Sequence, residues 1–187
     1  MSLVNEVNKW AREFGYRYLI IGETPSLVLI GEKHNREDHI SAQSDLVRRL
    51  RPEGVLHEIA GVHEYNPNEK EWKLIKGVRI DRVDLEFHKN EDPQKDFQAL
   101  ADEIGFYIKG IDLSLTELDL LGIKSQVSRA GIESRERRMA DRIIESYQQA
   151  TKPLIAIVGK YHAKLKSTLN KTLSDNSIDY IIATKPD

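Results

Sequence analysis

The sequence predicts an α/β protein of three layers, with helices covering both faces of a mixed, mostly parallel central sheet. Two observations predict this. Short and nearly uniformly apolar runs (LVLI, GVL, FYI, LIAIV, YIIA) recur along the chain, the pattern of strands buried on both faces. Between them lie longer stretches with apolar residues at helical spacing, and strands alternating with helices build parallel sheets.

In chain order, Leu3, Val7, Trp10 and Phe14 mark a first helix over 3–14. YRYLII (16–21) reads as a strand, GETPS as a turn and LVLIGE (27–32) as a second strand. The short turn predicts that these two pair as an antiparallel hairpin, which makes the sheet mixed. Ile40, Leu46, Val47 and Leu50 predict an amphipathic helix over 37–51, stopped at Arg51-Pro52. GVLHEI (54–59) is a short strand. Residues 61–92 are polar and irregular and read as a variable insert, with a helix expected near 69–76 and a strand near 77–83. Asp92-Pro93 opens a helix whose apolar face is Phe97, Leu100, Ala101 and Ile104. FYIKGID (106–112) is the next strand, followed by a helix from about Thr116 and a polar break at 125–131. Met139, Ala140, Ile143, Ile144 and Tyr147 stripe a helix over 133–149. LIAIVG (154–159), a helix over about 161–173 and IDYIIAT (178–184) complete a chain that reads as a single domain over 1–187.

With 28 basic against 30 acidic residues, the net charge of −2 gives no bulk attraction to nucleic acid or anionic membrane. Cysteine is absent, so thiolate chemistry is excluded and any metal must be held by His, Asp or Glu. No apolar run approaches the roughly 20 residues of a membrane-spanning helix. The first residues lack a basic leader and an apolar signal core, so a cytoplasmic protein is the expectation.

The chemistry concentrates where strands end, and ligands of open α/β sheets bind beyond the carboxyl ends. Residues 25–34 (PSLVLIGEKH) and 153–162 (PLIAIVGKYH) share one frame: Pro, one residue, four apolar residues, Gly, two residues, His. Gly31 and Gly159 allow special backbone conformations or close approach, which would place Glu32, His34 and His162 over the sheet edge. GVL ends in His57 and Glu58, which alternate across the strand. Glu58 is expected to face the site and His57 to pack under a helix. Asp112 reads equally as a cap or as a site residue. Arg135 sits at the border of the helix stripe, from which it can snorkel to solvent or present its fork to a carboxylate or oxyanion. Arg138 and Arg142 are expected on a solvated side, and His63 and His88 on the surface.

GEKHNREDHISAQSDLVRRL with GVLHEIAG resembles the opening of the erythromycin esterase/ChaN-like superfamily and its TraB/GumN/Tiki relatives, which carry a GxxH motif after one core strand and a Glu after the next. ESRERRMADRI resembles the arginine helix of the TraB/Tiki branch, and IAIVGKYH its second GxxH. The resemblance covers most of the chain in order, although residues 60–105 are short for that family. It implies an erythromycin esterase/ChaN-like fold in which Glu32, His34, Glu58, Arg135 and His162 converge. On this reading the chain is a metal-dependent hydrolase of an amide or ester bond in a small-molecule or peptide substrate. His34, Glu58 and His162 would hold Mn, Co or Zn, Glu32 would serve as base or further ligand, and Arg135 would stabilise an oxyanion. The alternative is a ChaN-like haem or small-ligand binding protein without catalysis, with His63, Tyr65 and His88 as axial ligands. A homodimer is compatible with either.

Overall fold

The computed structural model describes residues 2–33, 36–78 and 94–186. His34 and His88, the strand expected beyond Val78 and the helix start at Asp92-Pro93 therefore lie outside the described residues. The described elements are α1 (Leu3–Phe14), β1 (Arg17–Ile21), β2 (Leu27–Glu32), α2 (Glu37–Leu50), β3 (Gly54–His57), β4 (His63–Asn66), β5 (Glu71–Leu74), α3 (Gln94–Ile104), β6 (Tyr107–Gly110), α4 (Leu115–Leu120), α5 (Arg129–Gln149), β7 (Leu154–Gly159), α6 (Thr168–Asp175) and β8 (Tyr180–Thr184). They form one eight-stranded sheet in the order β1-β8-β2-β7-β3-β6-β4-β5.

From β8 to β6 every neighbouring pair is parallel, while β1, β4 and β5 add antiparallel pairings at the two sides. The mixed, mostly parallel sheet is thus as expected, but its hairpin is not. β1 does not pair with β2. β8 lies between them, antiparallel to β1 and parallel to β2. A turn of suitable length permits a hairpin, yet the last strand inserts because YIIAT is apolar enough to be covered on both sides, with only Thr184 left partly open. The expected helix near 69–76 is also replaced, by the β4–β5 hairpin, in which Trp72 packs on Tyr65 with ring centroids 5.2 Å apart.

Strand alternation sorts the core into two layers. Val28, Ile30, Val55, Ile155 and Ile157 meet α1, α2 and α3 on one face, through residues such as Trp10, Leu46 and Phe97. Leu27, Leu29, Leu56, Ala156 and Val158 meet α5 and α6 on the other, through Met139, Ile143 and Leu169. β2 and β7 are buried at every position, which is why both read as unbroken apolar runs rather than alternating ones.

The connections decide where a cleft opens. The chain leaves β2 and β3 toward the α1–α3 face, but leaves β7, which lies between them, toward the α5–α6 face. Segments departing to opposite faces part above the carboxyl edge and leave a crevice there.

Two helix boundaries differ from expectation. α5 begins at Arg129, not near 133, because Ser128 caps it by accepting a hydrogen bond from the Gly131 amide at 3.0 Å. Gly131 is helical rather than a break. Its missing side chain admits the preceding loop, since a Cβ there would stand 2.2 Å from the Ser125 carbonyl oxygen. α6 begins only at Thr168, and residues 160–167 form turns instead of helix.

Candidate functional site at the carboxyl edge of the sheet

Glu58 follows β3 and is nearly buried. Its carboxylate bridges two strands and a helix: Oε2 accepts the Gly159 amide at 2.6 Å, and Oε1 accepts Arg135 Nη2 at 2.7 Å. Parity places it there. The preceding His57 turns to the opposite face, where its ring meets Phe97 edge-on at 5.4 Å and its Nδ1 accepts the Ile59 amide at 3.1 Å. His57 is a core histidine, as expected.

Arg135 is held from a second side. Its Nε donates to both oxygens of Asp112 at 2.9 and 3.0 Å, and Nη2 donates to Oδ2 at 2.5 Å. Of the two roles left open by the sequence, Asp112 does not cap the helix that follows, which Ser114 caps; its carboxylate is taken by Arg135, and Oδ1 also accepts the Leu113 amide at 2.8 Å. Burial pushes the Asp112 carboxyl above the usual carboxylate range, and the Arg135 guanidinium opposes that shift. Arg135 therefore does not snorkel to water; it joins two buried carboxylates.

His162 stands beyond Gly159, with Nε2 3.5 Å from Glu58 Oε1. Its Nδ1 lies 2.9 Å from Oε1 of Glu136, whose Oε2 accepts the Thr168 amide at 2.7 Å. A proton on Nδ1 directed at Glu136 leaves the Nε2 lone pair for chemistry, the way carboxylates orient catalytic and metal-ligating histidines. Glu136 is not singled out by the sequence reading of this charge-rich helix. The signal was present: Glu136, Met139, Ala140 and Ile143 share one helical stripe, so the carboxylate lies in the apolar face.

Arg142 also departs from its expected place. It is 5% exposed, and its Nη1 donates to the carbonyl oxygens of Asp112, Gly61 and Gly110 at 2.5, 3.1 and 3.4 Å. It thereby fixes the β3–β4 connection and the end of β6 behind Asp112. Arg138 does reach a half-exposed side, where it meets Glu117 at 3.4 Å.

Glu32 ends β2 and is 4% exposed. It borders the same cleft, and its carboxylate accepts a short hydrogen bond from Gln43 of α2. His39 is buried, with Nδ1 accepting the Lys33 amide at 3.4 Å. Gly31 lies in extended strand, not at positive φ. Its function is close approach: a Cβ there would lie 2.6 Å from that of Ala163 and 3.4 Å from the Lys160 Cα. The glycine thus lets the turn that carries His162 lie directly on β2.

The resulting cleft has a volume of about 540 Å³, with Glu58, Arg135 and His162 among its lining groups and Val127 and Tyr161 at its rim. A larger hollow of about 650 Å³ lies over β4–β6 away from these residues and contains no histidine. The structure thus brings together Glu32, Glu58, Arg135 and His162, ties Asp112 to them through Arg135, and adds Glu136. Among the described residues no group of three His, Asp or Glu is arranged to hold a metal. Glu58 Oε1 and His162 Nε2 are nevertheless close enough for two donors of one ion. Of the haem ligands expected in the insert, His63 and Tyr65 are described, and neither lines this cleft. Tyr65 is 1% exposed, and its hydroxyl donates to Asp102 at 2.6 Å.

No family model matches the chain, and no curated protein matches it. Among solved structures it is similar to one of cofacial haem binding to ChaN of Campylobacter jejuni. The match has a TM-score of 0.54 at 14% identity and covers 94% of this chain and 84% of that one. The protein has the ChaN-like α/β fold. The architecture implied by the motif resemblance is therefore present, whereas the narrower TraB/GumN/Tiki assignment has no support among these matches. No helix among the described residues is long and apolar enough to cross a membrane.

Proposed function

We propose that the carboxyl-edge cleft is a small-ligand site and that its ligand class is haem, a broad apolar plane with anionic arms. The observation that carries this reading is the rim. Val127 and Tyr161 are each 74% exposed at the mouth of the cleft, an unusual display for large apolar side chains, and Lys33 and Lys160 border the same opening. Apolar faces flanked by cations suit a porphyrin and its carboxylates. The haem bound by the structurally similar ChaN supports the same class. Tyr161 is the residue to hold the iron, because His162 is only 8% exposed with Glu58 beside its Nε2, and a porphyrin needs an open face around its ligand. Titration with haemin is expected to give a shifted Soret band, with affinity falling at least tenfold in Tyr161→Phe and holding in Tyr65→Phe. A spectrum like that of haemin alone, or equal affinity in Tyr161→Phe, would overturn the proposal.

A second reading, hydrolysis of an amide or ester, is favoured by the Glu136–His162–Glu58 geometry. Glu58 and His162, with His34, would hold a divalent ion, which when bound lowers the pKa of water and polarises a carbonyl. Three carboxylates, Glu58, Asp112 and Glu136, surround Arg135 and His162, and that excess of negative charge suits a cation. Glu136 fixes the His162 tautomer, and Arg135 places its fork beside the cleft. Metal content measured on tag-free protein is expected near one ion per chain and to vanish in His34→Ala/His162→Ala. Metal retained in the double variant rejects this reading whatever the activity.

A further inference from the structure

Across the 160–165 segment from the cleft, a second hollow of about 280 Å³ opens between β1, β8 and that segment. The register explains it. Leu19 pairs with Ile182 and Arg17 with Thr184, so these four side chains share the α5–α6 face of the sheet. The helical layer stops short of that edge, because residues 160–167 form turns and α6 has eight residues. Leu19 is left 46% exposed on one wall and Leu165 58% exposed on the other. The cationic residues at the hollow are Arg17, Lys160 and Lys164, and no acidic residue lines it. Arg17 has no ion-pair partner among the described residues, and Lys164 is steered by the Tyr161 ring.

We propose that this hollow binds a single-chain amphiphile with an anionic head, of the medium-chain fatty-acid class, its chain between Leu19 and Leu165 and its carboxylate among Arg17 and Lys164. Apolar walls alone would take many guests. A rim with cations and no carboxylate selects anionic heads over neutral or cationic ones. The volume lies just below the roughly 300–1,000 Å³ of small-molecule sites, which suits a slender chain rather than a ring system. The hollow has its own apolar walls and Arg17, but it shares Lys160 with the cleft proposed for haem, and its Lys164 lies against Tyr161.

The test is calorimetric titration of the full chain with decanoate, decanol and decyltrimethylammonium below their micellar concentrations. Decanoate is expected to bind at least tenfold more tightly than either of the others. Leu165→Asp and Arg17→Glu/Lys164→Glu are each expected to weaken it at least tenfold, with unchanged circular dichroism because these side chains are exposed. Equal affinity for the three amphiphiles, or unchanged decanoate binding in Leu165→Asp, would overturn the proposal. So would sedimentation with phosphatidylglycerol vesicles without any binding of monomeric decanoate, which would make the face a membrane contact instead.

Discussion

Replacing Arg135 by methionine is expected to cost about 3–5 kcal/mol of stability, the penalty for removing one partner from a buried ionic cluster. Arg135 donates to both Glu58 and Asp112, so the methionine variant leaves two nearly buried carboxylates without their shared cation. For a chain of this length the loss corresponds to a fall in melting temperature on the order of 6–20 °C, measurable by calorimetry. The cause is separable. Arg135→Met/Asp112→Asn should lose less than Arg135→Met alone, because the second substitution removes one orphaned charge while keeping the shape. If the double variant is as unstable as the single one, lost packing and not unpaired charge explains the effect. Changes in haem or metal binding by Arg135→Met must then be measured below its own transition.

The second large effect lies one layer behind the site. Arg142→Met removes the donor shared by the carbonyls of Asp112, Gly61 and Gly110. An unsatisfied buried acceptor costs about 1–3 kcal/mol, so a total of roughly 2–5 kcal/mol is expected, since some carbonyls relax toward water. Burial holds the Arg142 guanidinium below its usual pKa, and the carboxylates of Glu117 and Asp112 oppose that shift. Arg142→Lys should recover only part of the loss, because an ammonium on a flexible stem lacks the planar fork. Chemical denaturation of the three proteins gives the comparison, and full recovery in Arg142→Lys would show that charge alone, not fork geometry, holds the connection. Amide exchange at Gly61 and Gly110 should accelerate in Arg142→Met, placing the loosening at the β3–β4 connection.

The candidate site was legible to different depths. Strands β2 and β7 read correctly because burial on both faces leaves an unbroken apolar run, and the repeated Gly…His frame lay at their ends. Glu58 was separable from His57 because adjacent strand residues take opposite faces. Glu136 and Arg142 were not read, since a charged residue in a helix is ordinarily solvated. Their burial depends on partners far along the chain: His162 for Glu136, and Gly61 for Arg142. Asp112 stayed ambiguous because an Asp shortly before a helix suggests a cap, whereas the cap is Ser114 and the Asp112 carboxylate is taken by distant Arg135. The insert misled in a similar way. Tyr65 looked available as an iron ligand, but Asp102 takes its hydroxyl and Trp72 covers its ring.

By itself the sequence determined the layers, the largely parallel sheet and the strand ends at which chemistry collects. All of these follow from periodicity and from residues close in the chain. Only the tertiary structure decided that β8 enters between β1 and β2, that Arg135 is clasped by two carboxylates, and that Glu136 orients His162. Strand order and buried ion pairing are set by which distant partner buries more surface and satisfies more polar groups, and no local pattern carries that comparison.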